Sequence, residues 1–69
     1  MIQEHDTVAL TQDLPAQSLS RGDVGAVVHL YANGPAAEVE FVDERGKTRC
    51  VATVPLANLI RLNLLSLSA

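Results

Sequence analysis

Residues 36–43, AAEVEFVD, alternate without a break: Ala37, Val39 and Phe41 fall on one side of an extended chain, Glu38 and Glu40 on the other. Successive side chains of a strand point to opposite faces, whereas apolar residues on a helix face recur every three or four positions, so this period of two specifies a half-buried strand. The pattern returns in DTVALTQ (6–12), where Val8 and Leu10 oppose Thr7, Ala9 and Thr11. VGAVVHLY (24–31) is rich in β-branched residues and reads as a second strand; KTRCVATV (47–54) reads as the one after AAEVEFVD.

The segments between these runs carry turn chemistry. DLPAQSLSRGD (13–23) is a long excursion, with Leu14 and Leu19 placed to anchor it on the core. Asn33-Gly34 is a strong short hairpin signal, and Pro35, which has no N–H to give a ladder, suits the turn's exit. Gly46 in DERG is free to take the left-handed conformation. Pro55 at the head of PLANL fits a 3₁₀ turn, after which IRL (60–62) is a closing strand.

Loop length decides the register of residues 47–54. A two-residue loop, Glu44-Arg45, pairs Glu40 with Arg49 and Val39 with Cys50, and turns Cys50, Ala52 and Val54 inward. A three-residue loop that includes Gly46 slips the pairing by one and turns Val51 inward. The first is favoured because it sets charge opposite charge.

Five short strands, a long loop after the first, two tight hairpins and a 3₁₀ turn before the last predict an all-β, SH3-like barrel over residues 1–62. An apolar C-terminal tail, 63–69, follows as an extra strand or oligomer contact. Closing the sheet limits the exposed edges that so small a domain can ill tolerate.

Sixty-nine residues make one domain, whose single core supplies roughly 3–5 kcal/mol of net stability. Cys50 is the only cysteine, so no internal disulfide adds to that, and a lone thiol fits a reducing cytoplasm. His5 and His29 lack metal-ligand spacing, and neither a metal nor another cofactor is expected. Self-association is the remaining external source of stability. Five Lys and Arg against eight Asp and Glu give a net charge of −3, with the cations scattered, which argues against a phosphate-binding surface. The start, MIQEHDTV, is acidic and polar, unlike a secretory signal, and no run is long and apolar enough for a membrane span.

EHDTVALTQDLP, GDVGAVVHLY, AEVEFVDERGKT and VPLANLIRL together resemble DUF4926, a family of small bacterial proteins without an assigned activity, over residues 2 to about 62. The resemblance implies an SH3-like barrel, similar to those of translation-associated KOW proteins and nitrile hydratase β subunits. It also implies, by association with toxin-like neighbouring genes, a neutralising or partner-binding role. The tail NLLSLSA departs from the family pattern, which tends to stop near the closing strand.

Several stretches invite a chemical reading. Arg21-Gly22-Asp23 spells an adhesion tripeptide, but Gly22 and Gly25 suit a tight turn and a close backbone approach, and Asp23 an Asx-turn to a downstream amide, so scaffold is the better account. His29 has no positioned partner in the sequence that would make it a catalyst, and His5 sits in a polar terminus. Glu38, Glu40, Asp43 and Glu44 form an acidic surface suited to a basic partner. Tyr31 and Phe41, the only aromatics, are too few for a proline-peptide groove or a base-stacking platform. In the tail, Leu62, Leu64, Leu65 and Leu67 exceed what a barrel this small can cover and point to contact with a second copy. The expectation is a non-enzymatic protein–protein interaction module. A KOW-like nucleic-acid accessory and a small subunit of an enzyme complex are the alternatives.

Overall fold

The computed structural model describes residues 1–32 and 34–65. Strands β1 (Thr7–Leu10), β2 (Val24–Leu30), β3 (Ala36–Val42), β4 (Thr48–Pro55) and β5 (Leu59–Arg61) form one antiparallel sheet in the order β4-β3-β2-β1-β5. Two 3₁₀ turns interrupt it, Pro15–Gln17 inside the β1–β2 loop and Leu56–Asn58 before β5. The alternation of 36–43 is realised in full, with Ala37, Val39 and Phe41 all buried.

These side chains join Val8 and Leu10 of β1, Val27 of β2, Ala52 and Val54 of β4 and Leu59 of β5 in a single apolar cluster. Strands at both edges of the sheet thus bury residues in the same core, which requires the sheet to curl into a barrel-like shape. Each fully buried Val, Leu or Phe contributes about 1.5–3 kcal/mol. The expected closure is incomplete: among the described residues β4 and β5 do not pair, and each is an edge strand.

Loops complete the core and its rim. Leu19 in the β1–β2 loop is buried, and Leu14 packs beside it, the two exchanging backbone hydrogen bonds of 2.9 and 3.1 Å. Gly22 turns the loop back at φ +91°, and Asp23 accepts from the upstream amide of Ser20 at 2.8 Å rather than from a downstream one. Gly25 serves a different need, because a Cβ there would meet the Glu40 carbonyl oxygen at 2.5 Å. Residues 3–6 form a turn in which Asp6 Oδ2 accepts from Gln3 N–H at 2.8 Å, and His5 N–H donates to the Val27 carbonyl at 2.8 Å.

The β3–β4 hairpin keeps the favoured inward set by an unexpected route. Its loop is the three-residue one, with Asp43 N–H donating to the Lys47 carbonyl at 2.8 Å and Gly46 at φ +78°. That loop alone would set Val39 opposite Val51. Arg49, however, is an extra residue in a bulge between Val42↔Thr48 and Phe41↔Cys50, which advances the pairing by one more. Val39 therefore faces Ala52, Glu40 faces Val51, and Cys50, Ala52 and Val54 point inward. The expected Glu40–Arg49 pair does not form.

Candidate functional site

The outer surface of β2, β3 and β4 carries the most distinctive chemistry. Outward alternation places Ala26, Glu40 and Val51 in one row and His29, Glu38 and Thr53 in the next. No Lys or Arg stands in either row. The cations nearby are committed elsewhere or sit in the hairpin loop: Arg49 reaches away to Asp23, while Arg45 and Lys47 flank Gly46. Val51 is 54% exposed, so an apolar spot lies between the carboxylates.

The acidic residues singled out from the sequence divide by task. Glu38 accepts a hydrogen bond from the Thr53 hydroxyl and Glu40 one from the Thr48 hydroxyl, so both carboxylates lean across β4 toward the edge of the sheet. Asp43 Oδ1 instead accepts from the Arg45 and Lys47 amides at 2.8 and 2.9 Å and holds the hairpin loop together. Glu44 is exposed in that loop. The structure therefore brings Glu38 and Glu40 together on the sheet and leaves Asp43 and Glu44 at its corner. Thr48, Val51 and Thr53 were missed as members of this surface, because only the bulge at Arg49 fixes which residues of β4 face them.

His29 adds a titratable neighbour. It stands directly across from Glu38, its Nδ1 lies 3.6 Å from Glu4 Oε2, and its ring meets Tyr31 edge-on with centroids 4.8 Å apart. All of this is on the surface, with the His29 side chain 55% exposed. His5 lies on a separate open groove of about 560 Å³, lined with Asp6, Thr7, Arg61, Leu64 and Leu65 among others. The Asp6 carboxylate there is engaged by Arg61 Nε at 3.2 Å. Among the described residues no group of three or more His, Cys, Asp or Glu is placed to hold a metal ion.

The remaining candidates have plain structural roles. Arg21, Gly22 and Asp23 form the turn into β2, with their amides bonded to Asp13 Oδ1, the Leu10 carbonyl and the Ser20 carbonyl. Cys50 is half-buried against the core and Phe41 lies inside it. Of the tail leucines, Leu62 is half-buried and its N–H donates to the Thr7 carbonyl at 2.9 Å, while Leu64 and Leu65 are 45% and 79% exposed. Leu67 lies outside the described residues.

A five-stranded antiparallel sheet curled around one apolar core, with a 3₁₀ turn before the last strand, defines a small all-β domain of SH3-like barrel type. The chain belongs to the DUF4926 family, a domain of unknown function, whose family model matches residues 4–61. No curated protein and no solved structure matches it. No helix among the described residues is long and apolar enough to cross a membrane.

Proposed function

We propose that this domain is a non-enzymatic, cytoplasmic protein–protein interaction module whose outer sheet face receives a basic partner. The observation that carries the reading is the uncompensated pair Glu38 and Glu40 on a face where β2 and β4 supply no cation. Opposed charge steers association and selects against acidic competitors, and exposed apolar atoms at Val51 give the contact something to desolvate. The family likeness, through its association with toxin-like genes, supports a neutralising role as the specific form of this contact. Self-association through Leu62, Leu64 and Leu65 belongs to the same proposal, since Leu64 is 45% and Leu65 79% exposed.

The test is a photo-crosslinking residue at position 51, introduced in the native cell. The expected result is one dominant adduct with a basic protein, weakened by salt and by E38Q/E40Q, in which Gln still accepts from Thr53 and Thr48. An adduct indifferent to both, or none, would overturn the reading.

A further inference from the structure

We infer that the partner enters as an extended basic strand that adds to the free edge of β4, its Lys or Arg residues alternating so as to reach Glu38 and Glu40. This rests on the acidic-face reading above and specifies how that face is used.

The hydrogen-bond alternation locates the open groups. Tyr31 N–H bonds the Ala36 carbonyl and Leu56 N–H bonds the Pro35 carbonyl, so Ala36 and Glu38 direct their main-chain groups to β2, while Ala37, Val39 and Phe41 direct theirs to β4. The residues of β4 opposite Glu40 and Glu38, namely Val51 and Thr53, therefore turn their N–H and C=O groups outward. No loop or side chain among the described residues bonds them.

The rest of β4 is guarded. Arg49 bulges out of the ladder at one end, and Pro55 at the other occupies the next outward-facing position with no N–H to offer. Bulges, charges and proline are the means by which edge strands avoid indiscriminate pairing. What remains open is a short window at Val51 and Thr53, wide enough for a few residues of an incoming strand. The other edge, β5, has only three residues, and Arg61 on it is already paired with Asp6.

Charge decides what can occupy the window. The carboxylates of Glu38 and Glu40 lean over β4 toward it, each through a threonine hydroxyl. A second copy adding β4 to β4 would bring four such carboxylates together on one face, which is repulsive. An incoming strand with Lys or Arg at alternate positions places its cations on that face and its intervening apolar residues over the rim of the core, beside Ala52 and Val54. Main-chain bonds then hold the strand while alternate side chains select it.

The experiment is an NMR titration of the full chain with an end-blocked Lys-Val-Lys-Val-Lys peptide at low salt, following shifts and amide exchange. Expected are shifts centred on Val51 and Thr53, slowed exchange of those two amides, and affinity about tenfold weaker when the peptide's pairing amides are N-methylated. V51P, which removes one outward N–H as Pro55 already does naturally, is expected to weaken binding similarly. Equal binding of the N-methylated peptide overturns strand addition but leaves the acidic face standing. Binding that E38Q/E40Q does not weaken overturns both. No binding at millimolar peptide, or Val51 and Thr53 amides already protected in the free protein, overturns strand addition.

Discussion

Arg49 reaches from the bulge of β4 to Asp23, at the entry to β2: its Nη1 lies 3.1 Å from Asp23 Oδ2, and Nη2 donates to the Ser18 carbonyl at 3.0 Å. A guanidinium from the bulge of one edge strand thereby adds a side-chain tie to the loop that joins β1 to β2, beside the backbone bonds that Leu10 makes with Gly22 and Asp23.

Both partners are partly solvated, with side chains 39% and 28% exposed, so solvent screening limits the contribution of the pair. R49A is expected to lower stability by at most about 1 kcal/mol in urea unfolding, with the loss shrinking at high salt. The clearer readout is local: amide exchange of Ser18 to Asp23 is expected to accelerate in R49A while β1 and β3 stay protected. Unchanged exchange in that loop would show that Leu14 and Leu19 hold it unaided.

The glycines of the RGDVG stretch are expected to differ in cost. Gly25→Ala sets a methyl 2.5 Å from the Glu40 carbonyl oxygen and 2.8 Å from Val39 Cγ1, with backbone unable to yield, and is expected to destabilise by about 1–3 kcal/mol, toward the upper end. Gly22→Ala has open space and pays only for its positive φ of +91°, about 1 kcal/mol. Thermal unfolding of the two variants is expected to rank G25A well below G22A; the reverse order would contradict the close approach of β2 to β3.

Where the fold was legible in sequence, the reason was period: the alternation of Ala37, Val39 and Phe41 admits one face only, whereas in β1 Val8 and Leu10 are buried as expected but Ala9, expected on the opposite face, is buried as well. Turn residues were legible where one residue type alone fits, as at Gly46. Register was not, because the bulge at Arg49 leaves no mark in composition, and its effect is to restore the inward set that a three-residue loop would have inverted. The acidic site was half legible for the same reason. Glu38 and Glu40 could be assigned to one face from their own strand, but their threonine donors and the open edge groups of β4 depend on pairing across the bulge. The incomplete closure escaped pattern altogether, since it reflects the distance between two edge strands rather than a preference of either.

Leu64 and Leu65 are expected to drive association of the wild-type chain. Fully burying a leucine is worth about 1.5–3 kcal/mol, and a two-fold contact uses each of them twice. L64S/L65S leaves Leu62 and its bond to Thr7 in place, so β5 remains paired to β1. Sedimentation velocity over a concentration series is expected to show a wild-type dimer and a variant whose dissociation constant is at least about tenfold higher. Identical sedimentation of the two would remove the tail from any role in assembly.

The bulge yields the sharpest contrast, between deletions two positions apart on β4. Deleting Arg49 removes the extra residue and leaves Val42 opposite Thr48 and Phe41 opposite Cys50 in an uninterrupted ladder, so Ala52 and Val54 still face the core. The cost is the contact with Asp23 and Ser18, at most about 1 kcal/mol, and the domain is expected to fold. Deleting Val51 leaves two poor choices. Keeping the bulge turns Thr53 inward and Ala52 and Val54 out; losing it sets Arg49 opposite the buried Phe41, where an unpaired charge costs several kcal/mol. Either is comparable to the whole of the roughly 3–5 kcal/mol a domain of this size holds in reserve. Dispersed amide resonances for ΔArg49 and collapsed ones for ΔVal51 are the expected spectra. A folded ΔVal51 would mean that β4 tolerates inversion and that the inward set is not what fixes this hairpin.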